Sequence, residues 1–500
     1  MRTLISIKER LPLILILAAG AALRIAGLSF RSFFADEIFM VKAVQNPLSA
    51  LFAIDAPHGP IPFYILHFLS GTVGRSEFWM RFPSAIAGIL TCYLIYKIAE
   101  ELTDKRTALI ATALSALSPF LILYDQTARW YSLFAFTATA SAYFFLRNMK
   151  FGKTFDLFAF SILDIFLLYI EPTAIFFIGF EVLAAAVLFK SMSKKVIAAF
   201  VTVLIAYIPM VLTTIQQSDF YRFLPGTFAE RGVGGGILFR LFYAFYSFSI
   251  GQTISPFNLP VAVPAIILFF LLFSYGLIKG AQKYGITAAF LCFYLLAAIL
   301  QAFTQLNLPH YMIYAAVPFV MIISIGLEQL RERRVLLIIS AVIISSVYAY
   351  SLHNLFSGKE YNRMEFVDDW KGIADHVVQV SAAGDLVVHS SDSFDYYCRD
   401  RKKITYGKDP DRVINAVAAY RRSNPETKVV FVYSPLSGLF VQEVETGQKI
   451  GKALADEYRL ESRTEFCRDP EYLSKRKFAK RSFPEYRISV SIYSKGRTNK

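Results

Sequence analysis

The chain has 500 residues, of which 55% are hydrophobic and 18% are charged, and its mean hydropathy is +0.45. Because a soluble domain carries about 25% charged residues, these values exclude a disordered chain, a coiled coil and a disulfide scaffold, and indicate a protein that crosses the membrane many times. The formal net charge of +14 is explained by basic cytoplasmic loops. We therefore expect a lipid bilayer, and no nucleic acid, as partner.

Apolar runs of about 20 residues, the length that crosses a bilayer, recur from the N-terminus to Tyr350. We predict eleven membrane-spanning segments, at residues 11–28, 82–98, 107–123, 131–147, 155–170, 173–189, 196–215, 261–279, 285–303, 310–327 and 334–350. Two alternatives stay open. Residues 155–189 could form one kinked segment, and residues 237–250 are short enough for an interfacial helix.

Basic residues alternate between successive loops. If the N-terminus is cytoplasmic, every second loop carries them, at Lys97, Lys105 and Arg106; Arg147, Lys150 and Lys153; Lys190, Lys194 and Lys195; Lys279 and Lys283; Arg331, Arg333 and Arg334. The positive-inside rule then predicts an integral plasma (inner) membrane protein with everything after Tyr350 outside the cytoplasm. Pro12 and Arg24 in the first segment favour a retained anchor over a cleaved signal peptide.

The composition changes after Ser351, and half of the 52 Lys and Arg residues lie in the last 150 positions. β-rich runs and helix-like stretches alternate there, at residues 385–390, 428–434 and 486–494 and at residues 366–380, 411–422 and 446–458. This alternation predicts a small α/β domain. We therefore divide the chain into a multi-span α-helical domain, residues 1–350, and a soluble extracytoplasmic domain, residues 351–500. Cys398 and Cys467 could form a disulfide in the second domain.

The first outward loop, residues 29–81, carries two groups of polar residues. Asp36 and Glu37 are adjacent acids in an aromatic setting, and either Asp36 caps a short helix or the pair holds a metal or accepts a proton. Farther along, Asp55 and His58 lie in a proline-rich turn. That turn either presents both side chains or simply leads into the next helix.

Other polar residues fall in later loops on the same side. Gln126 and Arg129 share a helical face, where Arg129 suits a phosphate oxygen or anchors at headgroups beside Trp130 and Tyr131. Glu171 is either a helix cap or a site carboxylate, and His310 with Tyr311 starts a span or contacts a phosphate. Chemistry is therefore expected outside, near the bilayer, which suits a lipid-linked substrate.

Four short motifs carry a family resemblance. They are Ala35-Asp36-Glu37; His58-Gly-Pro-Ile-Pro-Phe-Tyr64; Ser76-Glu-Phe-Trp-Met-Arg81-Phe-Pro-Ser-Ala-Ile-Ala-Gly88; and Leu117-Ser-Pro-Phe-Leu-Ile-Leu-Tyr-Asp-Gln126-Thr-Ala-Arg129-Trp-Tyr131. In order and spacing the sequence resembles the GT-C integral-membrane glycosyltransferases. It is most similar to the protein O-mannosyltransferase and aminoarabinose-transferase superfamily, especially its bacterial Rgt-like members.

The resemblance implies a GT-C catalytic domain that takes a sugar from a polyprenyl-phosphate donor to a glycan, lipid or protein hydroxyl. Asp36 would be the catalytic acid or base, and Glu37 would support it or hold a divalent cation with His58. Arg129 would meet the donor phosphate. Further donor or substrate contacts are expected from Gln126, Asp55, His58, Glu171, His310 and Tyr311.

Other functions stay open from the sequence. A transporter or flippase of lipid-linked saccharides would share the many spans and would need ionisable residues within them; Asp164 is the main candidate. An O-antigen ligase or polymerase would keep the enzymology and change the reaction. In the third alternative, the C-terminal domain binds carbohydrate or a partner, and the membrane spans only anchor it.

Overall fold

The computed structural model describes residues 7–52, 54, 58–216, 236–304, 308–361, 368–407, 409–434, 441–466 and 488–494. The chain divides into two compact units. The membrane unit comprises Met1–Ser29 and Met40–Ser357, and the α/β unit comprises Phe30–Phe39 and Gly358–Lys500. The segment that carries Asp36 and Glu37 is therefore grouped with the C-terminal part of the chain, which the sequence did not indicate.

The membrane unit is helical. Its described helices are α1 (Ile7–Ala26), α2 (Ala35–Ala43, which begins in the α/β unit), α3 (Ile61–Val73), α4 (Glu77–Leu102), α5 (Lys105–Leu117), α6 (Pro119–Asp125), α7 (Tyr131–Phe151), α8 (Thr154–Ile170), α9 (Ala174–Leu183), α10 (Lys194–Gln216), α11 (Ile237–Ile250), α12 (Leu259–Ala302), α13 (Ala316–Gln329) and α14 (Arg334–Ser357). A π-helical turn, Ala184–Leu188, extends α9, and a 3-10 turn, Ile313–Ala315, precedes α13.

The predicted spans fall on these helices, but the segment 107–123 is divided between α5 and α6, and the segment 310–327 begins before the 3-10 turn that precedes α13. The two segments between residues 155 and 189 are separate helices, α8 and α9, because the chain is extended at Glu171. Residues 261–303 lie in one helix, α12, which is interrupted by non-helical backbone at Tyr284 and Gly285. The short apolar run at residues 237–250 is a helix of 14 residues, α11.

By the length and composition of the helices, fewer than the eleven predicted spans are identified. Among the described residues, four helices could cross a membrane, α4, α10, α12 and α14, or five if α5 and α6 form one span bent by 55°. The bend follows from Pro119 at the start of α6, where Ser118 caps the new helix by accepting a hydrogen bond from Leu121 N. The total of eleven spans stays a prediction.

A buried ion pair ties the N-terminal helix to the centre of the membrane unit. Arg24 Nε donates to Asp125 Oδ2 at 2.7 Å, and another guanidinium nitrogen donates to Ala116 O at 2.8 Å. Both side chains are inaccessible to solvent or nearly so. Helix α4 approaches this ion pair closely at Gly88. A side chain at that position would not fit, since its Cβ would lie 2.2 Å from Asp125 Oδ2. The end of α6 is thereby fixed against α1 and α4.

The α/β unit contains a five-stranded sheet in the order β2-β1-β3-β5-β4. Its strands are β1 (Leu386–His389), β2 (Lys402–Thr405), β3 (Val429–Tyr433), β4 (Arg459–Phe466) and β5 (Ile488–Ser494). Strands β1, β2 and β3 are parallel, and β5 pairs antiparallel with β3 and β4. The described helices are α15 (Trp370–Val380), α16 (Asp392–Tyr397), α17 (Pro410–Ser423) and α18 (Val441–Glu457).

Helices cover both faces of this sheet. Val387, Val430 and Val490 pack on one face with Trp370 of α15 and Phe394 of α16. The alternate strand residues, such as Val388 and Phe431, pack on the other face with Val413 of α17 and Ile450 of α18. The alternation follows from the two-residue period of a strand. The predicted fold class, a polytopic helical protein with a small C-terminal α/β domain, is confirmed.

Candidate functional site

Asp36 and Glu37 lie in the first turn of α2, which begins at Ala35. Glu37 is fully buried, and its Oε2 accepts a hydrogen bond from Phe34 N at 3.3 Å. A glutamate that reaches back to the residue before its helix completes a capping arrangement. Asp36 therefore does not cap a helix that starts at Glu37. Glu37 has the capping role, and the Asp36 carboxylate is partly exposed.

A charged hydrogen bond joins two other predicted site residues in the membrane unit. His58 Nδ1 lies 2.7 Å from Glu171 Oε2, and Glu171 is fully buried at the end of α8. Because one ring nitrogen faces the carboxylate, the bond fixes the orientation of the imidazole. Glu171 directly follows the last residue of α8 and also contacts His58, and its role as a site carboxylate stays a prediction.

The turn after His58 is locked to the same helix end. Gly59 N donates to Ile170 O at 3.1 Å. A Cβ on Gly59 would lie 1.8 Å from Tyr169 O, so a larger residue would displace the backbone. This close approach keeps His58 beside Glu171.

An aromatic cluster surrounds His58. Its ring lies 5.4 Å from that of Trp130 and 6.5 Å, stacked, from that of Tyr311. His310 lies 4.7 Å from the Tyr131 ring, and its Nδ1 is 3.2 Å from Tyr124 Oη. We call the set His58, Tyr124, Trp130, Tyr131, His310 and Tyr311 the aromatic cluster. Three loops that are far apart in sequence therefore meet at one end of the membrane unit.

Several of these aromatic residues are buried. Trp130 is 1% exposed and Tyr131 is 2% exposed, so neither forms the surface belt that the sequence left open. Tyr124 also donates to Gln252 Oε1 at 2.7 Å. The sequence reasoning missed Gln252; its one signal is a polar stretch, Gly251-Gln252-Thr253, directly after the apolar helix α11.

Arg129 borders a small groove between α3, α4 and the start of α7. The rest of the groove is mainly apolar, with Ile65, Leu66 and Pro83 among its lining residues and Trp130 beside the arginine. The Arg129 guanidinium lies 5.8 Å from the Tyr131 ring, and Ser84 Oγ donates to Arg129 O at 3.3 Å. The groove therefore combines an apolar wall with one cationic group.

Gln126 faces away from this groove. Its Nε2 donates to Leu23 O at 2.8 Å, and the residue is 1% exposed. A Cβ on Gly27 would collide with the same amide, so Gln126 packs tightly against the end of α1. We assign it to the packing of α1 rather than to phosphate binding. Asp55, also predicted to bind substrate, lies outside the described residues.

The residues expected to hold a divalent cation do not form a ligand set. Among the described residues no group of three or more His, Cys, Asp and Glu side chains has the arrangement of a metal site. Glu37 accepts the hydrogen bond of its helix cap, and His58 faces Glu171. We therefore derive no reaction step through a cation.

A second acidic pair is buried inside the membrane unit. Ser141 Oγ lies 2.6 Å from Asp164 Oδ1 and 3.1 Å from Glu181 Oε1. Both acids are inaccessible to solvent. Asp164 was the residue that the transporter alternative required, and Glu181 is a partner that the sequence reasoning missed.

The sequence and fold were compared with known proteins. Residues 57–214 match the family model described as "Dolichyl-phosphate-mannose-protein mannosyltransferase". A search of curated protein sequences finds no significant match.

Solved structures share the fold of this chain. ArnT from Cupriavidus metallidurans bound to undecaprenyl phosphate has a TM-score of 0.58 at 13% identity, over 96% of this chain and 97% of that chain. Its apo form has a TM-score of 0.60 at 12% identity, with the same coverage. The Archaeoglobus fulgidus oligosaccharyltransferase complex with Zn and sulfate has a TM-score of 0.54 at 13% identity, over 88% of this chain and 70% of that chain.

The full-length agreement with ArnT establishes the fold, and the family model covers the segment that carries His58, Arg129 and Glu171. The chain therefore has the GT-C fold, and its resemblance to the GT-C membrane glycosyltransferases of the protein O-mannosyltransferase and aminoarabinose-transferase superfamily is confirmed.

Proposed function

We propose that this protein is a membrane glycosyltransferase that moves a hexosyl or pentosyl group from a polyprenyl-phosphate donor to a hydroxyl of a glycan, lipid or protein outside the cytoplasm. The description of the matched family names a sugar on a lipid phosphate, dolichyl-phosphate mannose. The ArnT structure contains undecaprenyl phosphate. An archaeal oligosaccharyltransferase of the same fold was solved with dolichol-phosphate and an inhibitory peptide, at a TM-score of 0.54 and 12% identity.

The observation that carries the proposal is the position of Arg129. A polyprenyl phosphate has a long apolar chain and a charged head, and the groove beside Arg129 offers an apolar wall and a guanidinium. A guanidinium binds phosphate oxygens through two parallel hydrogen bonds. Arg129 also lies one residue before Trp130, the N-cap of α7, and the backbone N–H groups at the start of a helix favour an anion.

The reaction is a substitution at the anomeric carbon. The acceptor oxygen forms a bond to that carbon, and the bond from the carbon to the phosphate oxygen breaks. Asp36 accepts the proton of the attacking hydroxyl, and Arg129 stabilises the negative charge of the departing polyprenyl phosphate. General-base assistance contributes about 10²–10⁴-fold in rate.

The aromatic cluster has a separate task in this proposal. His58 and Tyr311, the partly exposed members of the cluster, offer a flat face and a polar edge, which suit the apolar and hydroxylated sides of a sugar ring. Glu171 keeps His58 in place for that contact. Since the cluster and Arg129 belong to the same unit and share Trp130 and Tyr131 as neighbours, one donor molecule could meet both.

Sugar transfer by the purified protein tests the proposal. The protein is reconstituted in vesicles and supplied with radiolabelled sugars on undecaprenyl phosphate, first a hexose panel and then a pentose panel. We expect label from one donor to reach an acceptor in membrane extracts, and the same sugar as a nucleotide sugar to give none. Transfer only from diphosphate-linked oligosaccharides would instead indicate a ligase or polymerase. No transfer from any donor would overturn the proposal.

The orientation of the protein is also part of the proposal. We infer a cytoplasmic N-terminus and an extracytoplasmic α/β unit from the distribution of Lys and Arg. Glu426 is exposed in that unit, so Glu426→Cys should react with an impermeant maleimide in intact cells. Labelling only after lysis would place the unit in the cytoplasm.

The buried acids Asp164 and Glu181 favour a second function, transport of lipid-linked saccharides. Ionisable groups inside membrane helices often mark a pathway for protons or substrates. If the protein is a transferase, we expect Asp164→Asn to keep sugar transfer within about twofold of wild type, because the hydrogen bonds of Asp164 and Glu181 join them to Ser141 and not to the aromatic cluster or Arg129. Loss of lipid translocation in that variant, with no transferase activity in wild type, would support the transporter.

A further inference from the structure

Residues 30–33 lead into helix α2 and are held by the C-terminal part of the α/β unit. Phe33 N donates to Tyr397 Oη at 2.8 Å. Ser32 Oγ accepts a hydrogen bond from Lys371 N at 3.1 Å and lies 3.5 Å from Asp369 Oδ1. The Phe33 ring also meets the Tyr396 ring edge-on, at 5.9 Å. Two consecutive residues of the N-terminal loop are thus fixed by residues more than 300 positions later.

The residues that hold this loop are themselves rigidly placed. Asp369 caps α15 by accepting from Gly372 N, and Trp370 packs in the core of the unit. Tyr397 is the last residue of α16, which Ser391 caps at its other end. Both anchors therefore lie at helix ends that pack on the sheet, and they can transmit a fixed position to the loop.

The hydrogen bonds at Ser32 and Phe33 also constrain the backbone near Asp36. Phe34 precedes α2, and its N–H is bonded to Glu37 Oε2. Asp36 lies between this cap and the body of the helix, so the cap and the bonds at Ser32 and Phe33 restrict the position of its Cα. The C-terminal part of the chain thereby restricts the backbone position of Asp36.

We propose that the α/β unit is a positioning element of the transfer reaction, and that Tyr397 and Asp369, through Phe33 and Ser32, hold the start of α2 so that Asp36 meets the acceptor hydroxyl. This inference rests on the proposed function and on Asp36 as its base. Tyr397 and Asp369 are positioning residues, because they act on the base and not on the substrate. A small displacement of a catalytic group costs up to about 10²-fold in rate.

Tyr397→Phe is the sharpest test, since it removes the acceptor of Phe33 N and keeps the ring. Tyr420→Phe is the matched control. Tyr420 Oη donates to Gly384 O at 2.7 Å in the same unit, and neither residue belongs to the loop at 30–39. We expect kcat of Tyr397→Phe to fall about tenfold with the donor KM within twofold of wild type, and Tyr420→Phe to keep both values.

A double variant separates positioning from general stability. In an Asp36→Asn background, Tyr397→Phe should cause no further loss of residual activity, because there is no base left to misplace. Equal factors of loss in both backgrounds would show a structural effect and overturn the proposal. Ser32→Ala provides a second route to the same loop if Tyr397→Phe does not fold, and it should show the same dependence on Asp36.

Hydrogen exchange of the full-length protein gives a readout that does not depend on activity. The amides of residues 33–37 should exchange about tenfold faster in Tyr397→Phe than in wild type. In Tyr420→Phe their exchange rates should equal those of wild type. If wild type transfers sugar and Asp36→Asn does not, but Tyr397→Phe matches Tyr420→Phe in rate and exchange, the positioning role is wrong. If Asp36→Asn is fully active, the proposed base is wrong, whatever the exchange shows.

Discussion

His58 and Glu171 are 113 positions apart in the chain, and their side chains lie 2.7 Å apart between Nδ1 and Oε2. Glu171 is buried at the end of α8, and His58 contacts the rings of Trp130 and Tyr311. The pair therefore links a helix end to the aromatic cluster.

Removal of this link should weaken substrate binding. A hydrogen bond to a charged group contributes about 1.5–3 kcal/mol, so we expect Glu171→Ala to lower kcat/KM for the donor roughly 10- to 100-fold. Glu171→Gln, which keeps the shape, should lose less. Steady-state kinetics of the two variants check this, with Glu181→Gln as a buried carboxylate control elsewhere in the membrane unit. Normal kcat/KM in Glu171→Ala would leave His58 without a functional role.

Asp36 and Glu37 should differ although they are neighbours. Asp36→Asn should lower kcat about 10²–10⁴-fold, because the amide that replaces the carboxylate cannot accept the proton. Glu37→Gln should keep most activity, since the amide oxygen can still accept the hydrogen bond from Phe34 N. Sugar-transfer rates and melting temperatures of both variants show which of the two acids is the base. If Glu37→Gln is the inactive one, the base is Glu37.

Arg129 should affect the donor more than the acceptor. Because a charged hydrogen bond contributes about 1.5–3 kcal/mol, Arg129→Ala should raise the donor KM roughly 10- to 100-fold, and Arg129→Lys should raise it less. Competition by undecaprenyl phosphate measures donor affinity directly. Arg106 is exposed at the start of α5, so Arg106→Ala serves as the control. Equal effects of the two alanine variants would indicate a general charge effect instead.

The Arg24–Asp125 pair should matter for stability. Removal of one partner leaves the other charge buried, and such a loss costs about 3–5 kcal/mol. We expect Asp125→Ala to lower the melting temperature of the detergent-solubilised protein markedly, and Gly88→Ala to do the same because its Cβ would meet the carboxylate. Thermal unfolding of both variants checks this. A stable Asp125→Ala protein would show that the ion pair contributes little.

His389 predicts how the α/β unit responds to pH. Burial lowers the pKa of His389 to about 4 from its usual 6.5, and nearby Asp395 only partly opposes this. The unfolded chain therefore binds a proton that the folded unit rejects, and stability is full above pH 6.5 and falls as the pH drops towards 4. At about 1.4 kcal/mol per pH unit the total loss is about 3 kcal/mol.

Hydrogen exchange of strand β1 at pH 7 and pH 5, corrected for intrinsic rates, measures this loss. His389→Gln should remove most of the difference in opening free energy between the two pH values. His376→Gln, a half-buried histidine in the same unit, should leave it unchanged. The same pH response in His389→Gln as in wild type would assign it to another group.

Helix and strand positions followed from the sequence where burial is extensive. The apolar segments matched helices α1 and α4–α14, because an apolar segment in a membrane must satisfy its backbone hydrogen bonds internally, and a helix does so. The central strands β1, β3 and β5 were predicted because both of their faces are covered. The edge strands β2 and β4 were missed, since most of their side chains are exposed and their composition is polar.

Site residues divide differently. The sequence by itself determined the fold class, the polar residues at one end of the helices, and Arg129 as a phosphate ligand to be tested, because charge and hydropathy are local properties. Only the tertiary structure decided that Glu171 orients His58, that Gln126 packs on α1, and that Tyr397 holds the loop before Asp36. These assignments depend on which distant side chains come within hydrogen-bonding distance, and that depends on packing across the whole chain.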